Sequence, residues 1–293
     1  MTNQQKSYIY ALGSIFAWST VSTAFKLALL ELSPLGLLLI SSLVATAFLA
    51  IAIWYDKGAS CSKFFPNLAK SALAGFLNPF LYYVILFTAY SRLRAQEAQS
   101  LNYTWAIVLS VFMVIFMRQK FRIKDFVALL VSFVGVLVIS TQGRLLSLKF
   151  DDPLGTSLAL SSSLVWALYW IVNLRDNRPN LQKLFYNFLV GSLFIAAYLI
   201  ISSTDLFLPA ANISVGVLWG IWIGIFEMGL TFLLWLKALQ LTENAAKISN
   251  LIFLTPFISM LFIAGILHES IHPATILGLI LIVFSNMLQK LKQ

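Results

Sequence analysis

The chain has 293 residues, of which 60% are hydrophobic and 11% charged, with a formal charge of +9. A water-soluble domain of this length needs a charged surface that so few charges do not cover, which excludes an ordinary globular fold. The basic excess does not call for nucleic acid, because Lys and Arg at the cytoplasmic ends of membrane helices produce the same sign.

A helix crossing the hydrocarbon needs roughly 20 apolar residues, and ten uncharged runs of about that length follow one another along the chain. The first, Ser7–Phe25, carries Ser14, Trp18, Ser22 and then Lys26 at intervals of four, which is one face of a helix. The run is long and has no A-x-A cleavage site, so it reads as a first span rather than a leader. Leu32–Tyr55 ends on Trp54, a natural interfacial anchor. Ser71–Ser91 holds Asn78, Pro79, Tyr82 and Tyr83, and Pro79 removes one backbone donor near mid-span. Ala98–Met117 offers Asn102, Tyr103 and Trp105. Phe126–Gly143 follows, then Pro153–Leu174, with Ser162, Trp166, Trp170 and Asn173 on roughly one face. Leu184–Thr204 is the seventh run. The eighth, Leu206–Phe226, reads best as a helix from near Ser214 through Glu227 to about Leu239, with Trp219 as an anchor. Ile248–Leu267 brings Asn250, Phe253 and Pro256, and Ser270–Gln289 closes the series. None alternates with period two, as a membrane barrel would, so helices are the way left to satisfy the backbone in lipid.

Basic residues divide unevenly between the two sides. One side takes Lys6, Lys57, Lys63, Lys70, Arg118, Lys120, Arg122, Lys124, Arg175, Arg178, Lys183, Lys237, Lys247, Lys290 and Lys292, whereas the other has Arg92, Arg94, Arg144 and Lys149. The positive-inside rule then places both termini in the cytoplasm. The lone Cys61 excludes an intramolecular disulfide and is expected as a free thiol in a cytoplasmic loop.

The chain also repeats. A shift of 148 places Ser14, Trp18 and Ser22 on Ser162, Trp166 and Trp170. A shift of 149 places Gly75, Asn78 and Ala89 on Gly224, Glu227 and Ala238. A shift of 150 carries Ala95, Ala106, Ala128 and Gly135 onto Ala245, Pro256, Gly278 and Ser285. Five spans per repeat is an odd number, so the second half enters the membrane upside down. The expected fold is all-α and integral to the membrane: ten transmembrane helices in two inverted five-helix repeats, residues 1–150 and 151–293. Secondary transporters built this way place their site at the repeat interface near the midplane.

With Trp18-Ser19 and Lys26 in the first span, this arrangement resembles the drug/metabolite transporter superfamily and its paired EamA domains. So does the ninth-to-tenth segment: Leu254-Thr255-Pro256, then His268-Glu269-Ser270, then Gly278. The first half departs at two places, with Ala106 opposite Pro256 and Gln119 opposite Glu269. Leu101-Asn102-Tyr103-Thr104-Trp105 is similar, more narrowly, to the aromatic amino acid exporters of that superfamily (the YddG type). The resemblance implies a basket-like bundle in a bacterial-type inner membrane. Its central cavity is lined by helices 1, 3, 4, 6, 8 and 9, with 5 and 10 at the rear. It also implies export of aromatic or other neutral amino acids, or of related amphipathic metabolites. Drugs, quaternary-ammonium compounds or nucleotide sugars are the other cargoes that the superfamily implies.

The candidate solute-binding residues are Trp18, Asn78, Tyr82, Asn102, Tyr103, Trp105, Trp166, Trp170 and Phe253. Flat aromatic faces beside hydroxyl and amide groups suit amphipathic solutes, although the same residues serve helix packing. Glu227 is the one acid with long apolar sequence on both sides. It must be protonated, paired or facing water, which makes it a candidate for a solute ammonium or a proton. Lys26 could meet a solute carboxylate or an acid such as Glu227, or snorkel to the interface. Pro79 and Pro256 are candidate hinges or tolerated bends. His268, Glu269 and His272 lack a further ligand close in sequence, so no metal is expected. No P-loop or nucleophile elbow is present, and no cofactor, enzymatic activity or obligate protein partner is expected. The expected partners are a small solute and the bilayer.

Overall fold

The computed structural model describes residues 1–55, 68–118, 123–144, 151–209, 211–242, 248 and 251–290. Cys61, Gln119 and Asn250 lie outside the described residues. Apart from one isolated bridge between Leu32 and Phe207, the regular structure described is entirely helical.

The first half holds α1 (Asn3–Ala28), α2 (Pro34–Tyr55) and α3 (Leu68–Gly75). A wide turn over Phe76–Leu81 joins α3 to α4 (Tyr82–Arg92), followed by α5 (Ala95–Asn102), α6 (Trp105–Met117) and α7 (Ile123–Ser140). The second half holds α8 (Pro153–Leu174), α9 (Asn180–Ser202), α10 (Ile213–Phe226) and α11 (Leu230–Leu241). A short tight turn, Ile252–Leu254, leads into α12 (Thr255–Ile266), and α13 (Pro273–Lys290) ends the chain.

Local chemistry sets these ends. Thr2 and Gln5 form a capping box on α1, and Asp152 caps α8 by accepting from the Gly155 N–H at 2.8 Å. Pro34, Pro153, Pro256 and Pro273 sit in first turns, where a missing N–H costs nothing. Pro256 therefore marks the junction between a tight turn and α12 rather than a mid-helix kink.

Among the described residues, six stretches are long and apolar enough to cross a membrane: Pro34–Tyr55, Ala69–Arg92, Ala95–Phe116, Pro153–Leu174, Asn180–Ser202 and Ile213–Leu241. Phe126–Ser140, Leu251–Ile266 and Pro273–Leu288 are shorter apolar helices. The outer surface is correspondingly apolar, with Ile200, Ile201 and Leu261 exposed by 77%, 80% and 73%. Only lipid makes such a surface favourable, so the chain is a multi-pass membrane protein.

Packing between the halves is reciprocal. α1 lies against α10, α11 and α12, while α8 lies against α4, α5 and α6; α2 packs on α9, and α7 on α13. Exchanging the halves leaves most of this pattern in place: α11 and α12 stand to α1 as α4 and α6 stand to α8. Glycines permit the closest crossings. A Cβ on Gly75 would lie 2.5 Å from the Asn187 carbonyl oxygen of α9, and one on Gly224 2.6 Å from the Ser41 carbonyl oxygen of α2. These two glycines are the pair that the 149-residue shift superimposes.

The expected eighth span differs in detail. Its helix begins at Ile213, capped by Asn212, and breaks at Glu227–Gly229 before resuming as α11. The Met228 N–H reaches back five residues to the Ile223 carbonyl, and Gly229 adopts φ −111°, ψ −88°, outside the helical region. The Thr231 hydroxyl donates to the Phe226 carbonyl that the break frees. The third span breaks at the matching place, where Asn78 is non-helical and Pro79 has no N–H to give.

Candidate solute cavity

The broken helices surround a cavity of about 430 Å³ at the centre of the bundle. Its walls come from α1, α4, α5, α6, α8, α11, the Glu227 break and the turn into α12. The volume falls within the range of about 300–1,000 Å³ usual for small-molecule sites.

Aromatic rings form one continuous wall. Trp166 of α8 stacks on Tyr82 of α4 with centroids 4.6 Å apart and meets Trp170 edge-on at 6.0 Å. Phe232 links Trp166 at 6.2 Å to Trp18 at 5.9 Å, and Trp18 continues to Trp235 at 5.6 Å. Trp105 and Phe253 also line the space, as does Tyr103. A polar seam crosses this wall. The Tyr82 hydroxyl donates to Asn102 Oδ1 at 3.4 Å, and Asn102 Nδ2 donates to Ser162 Oγ at 2.8 Å.

Glu227 is the only charged side chain lining the cavity among the described residues. The break between α10 and α11 turns it inward. Its Oε1 accepts from the Tyr83 hydroxyl at 2.9 Å, and Trp18 hydrogen-bonds to the same carboxyl group. Among the described residues, no Lys, Arg or His lines the space to neutralise it. Such an acid must carry a proton or meet a cation that arrives from outside.

Of the candidates read from the sequence, Trp18, Tyr82, Asn102, Tyr103, Trp105, Trp166, Trp170, Phe253 and Glu227 meet at this cavity. Four lie elsewhere. Asn78 is fully buried beside Tyr169 of α8, outside the lining. Pro79 sits in the wide turn, its ring against Gly191 of α9. Pro256 is buried in the first turn of α12. Lys26 also stays out of the cavity: its Nζ donates to the carbonyls of Tyr90 and Leu93, each at 2.9 Å, and so closes the C-terminal end of α4. Helix-one hydroxyls act between helices: Ser7 Oγ donates to the Ala238 carbonyl, Ser14 Oγ reaches the Thr231 carbonyl, Ser19 Oγ donates to the Thr255 carbonyl, and Ser22 bonds the Tyr90 hydroxyl.

Phe25, Tyr90, Gln99, Phe232 and Trp235 also line the cavity but do not stand out in the sequence. Phe232 and Trp235 lie just after Glu227 in an unbroken apolar run. Knowing that the helix breaks at Gly229 is what turns them toward the same space as Trp18. In the loop between α12 and α13, Glu269 Oε1 accepts from the Ala95 N–H and His272 Nδ1 from the Ala274 N–H.

The profile of the EamA-like transporter family matches this chain twice, over residues 5–141 and 153–288. The chain belongs to that family. An uncharacterized transporter of Clostridium kluyveri is 22% identical over 291 residues, covering 97% of this chain and 93% of its own. The uncharacterized transporter YyaM of Bacillus subtilis is 23% identical over 283 residues, covering 94% and 90%. A solved crystal structure superposes with a TM-score of 0.64 at 18% identity, over 98% of this chain and 97% of that one, and so shares the fold. This EamA-like transporter is thus a membrane transporter of the drug/metabolite superfamily, and its two family matches fall on the two halves whose packing is reciprocal.

Proposed function

We propose that this EamA-like protein is a secondary transporter for small amphipathic solutes that join a flat aromatic or apolar body to a protonated amine. Aromatic and other neutral amino acids are the leading class. The carrying observation is Glu227, the one carboxylate among the described lining residues of a largely aromatic cavity, with no basic residue among them to pair it. A solute ammonium supplies the missing charge, and the Trp166–Tyr82 stack with its neighbours receives the apolar body. The same acid disfavours anionic cargo such as nucleotide sugars. Each half, residues 1–150 and 151–293, contributes five spans of opposite orientation, with both termini cytoplasmic in a bacterial-type inner membrane. Solute then passes outward by alternating access between the halves. Support for this topology comes from the reciprocal packing and the charge bias. Support for the outward direction comes from the resemblance to aromatic amino acid exporters.

Counterflow in vesicles reconstituted with purified protein tests the solute. Labelled tryptophan and tryptamine should exchange saturably, and indole-3-propionate, which lacks the amine, should not. Equal exchange of indole-3-propionate would overturn the role of Glu227, and linear, unsaturable flux would mark a channel. The second reading, an organic-cation or drug carrier, rests on the absence of any Lys, Arg or His in the described lining to meet a solute carboxylate. Tryptamine exchanging far better than tryptophan would favour it.

A further inference from the structure

The cavity is closed at the end where α1, α4, α7 and α12 finish, which is the face opposite the chain termini. Two layers close it. Next to the cavity, Phe25 packs on Phe87 at 4.8 Å and on Tyr90 at 5.1 Å, all three buried, and Ser22 hydrogen-bonds the Tyr90 hydroxyl at 2.8 Å. Beyond these rings lies a polar layer. Lys26 ties α1 to the end of α4 through two carbonyls, and Arg94 pairs with Glu97, which also accepts from Gln142.

Most of that layer stays within the first half. Among the described residues, the bonds that cross to the second half on this face include the exposed Arg92–Asp152 pair at 2.9 Å, the contacts of Glu31 and Ser33 with Asn212 and Asp205, and a reciprocal set at the start of α5. Gln96, fully buried, spends both ends of its amide on the loop between α12 and α13. Its Nε2 donates to the Ser270 carbonyl at 2.9 Å, and its Oε1 accepts the His272 N–H at 2.9 Å. In return, Glu269 of that loop places Oε1 on the Ala95 N–H at 3.2 Å, in the first turn of α5, where a negative charge suits the helix dipole. None of these groups touches the cavity, so solute binding does not explain them.

We propose that Gln96 and Glu269 are the positioning residues of a gate on the face opposite the termini. They hold the α12–α13 loop against the start of α5, and the cavity opens to that face when their three bonds release. The proposal rests on the alternating-access reading and assigns its closing contact to named residues. Lys26, Arg94 and Phe25 have their partners within the first half, on α4 and α5, whereas Ser270 and His272 belong to the loop between α12 and α13.

Ala106→Cys, at a cavity-lining position on α6, reports the opening in a Cys61→Ser background. Intact cells are treated with a membrane-impermeant maleimide, which reaches only the outer face, and each variant is checked for monodisperse elution. Gln96→Leu loses two crossing bonds and should label roughly ten-fold faster than the parent, with Glu269→Ala several-fold faster. Glu269→Gln keeps an oxygen for the Ala95 N–H and should label at nearly the parent rate. Unchanged labelling of both disruptive variants in monodisperse protein overturns the gate. Should Gln96→Leu fail to fold, the contrast between Glu269→Ala and Glu269→Gln decides by itself. No solute enters the measurement, so an error in the solute class does not alter its outcome. Saturable counterflow together with unaltered labelling would discard the gate and keep the transport reading.

Discussion

Replacing Glu227 by Gln removes the cavity's charge while keeping its shape, since the side-chain amide oxygen can still accept from Tyr83. The size of the effect follows from electrostatics. A solute ammonium about 4 Å from the carboxylate gains about 4 kcal/mol at an effective dielectric constant near 20. Withdrawing both ions from water takes back part of that. Hydrogen bonds to charged groups retain about 1.5–3 kcal/mol net, which is roughly a ten- to hundredfold rise in half-saturation concentration. Counterflow with tryptamine and tryptophan should show this rise, while exchange of uncharged indole stays as it was. A change below about threefold for the amines would refute the assignment of Glu227 as the ammonium partner, because that is less than one net charge-assisted bond. The same variant separates two energetic schemes. If the empty carrier returns with a proton on Glu227, an imposed pH gradient drives amine movement in the parent protein and not in Glu227→Gln.

Trp166→Ala or Tyr82→Ala removes one member of the stacked pair at 4.6 Å and should lower solute flux roughly tenfold in vesicles, with expression intact. Tyr82→Phe, which keeps the ring and loses only the 3.4 Å contact to Asn102, should be nearly neutral, and undiminished flux in both alanine variants would remove the aromatic wall from the binding site. Gly191→Leu should lower thermal stability in detergent by about 1–3 kcal/mol or more. Even its Cβ would stand 2.4 Å from Pro79 Cδ and 2.9 Å from the Gly75 carbonyl oxygen. An unaltered melting temperature there would show that the crossing of α3 and α9 is looser than described.

Much of this protein is written one span at a time. Uncharged runs announce a polytopic membrane protein because lipid forbids exposed backbone and charge, and that demand acts locally on each helix. The candidates on α1 and α8 were legible for the same reason: four-residue spacing puts Trp18 and Ser22, or Trp166 and Trp170, on one face whatever the surroundings. Glu227 announced itself through the cost of its charge. What stayed hidden depends on how helices break and meet. Asn78 and Glu227 match under the repeat shift, yet Asn78 is buried against Tyr169 while Glu227 turns into the cavity, because different neighbours pack around the two breaks. Lys26 looked like a partner for charge and instead caps α4, since carbonyls 64 and 67 residues away lie within its reach. Phe232 and Trp235 became wall residues only when Gly229 rotated α11, and Gln96 became a clasp only when the α12–α13 loop arrived beside it. Sequence by itself therefore determined the membrane setting, the candidate polar and aromatic faces and the repeat. Tertiary structure decided which faces share one space, because that depends on helix breaks and long-range packing that no single helix encodes.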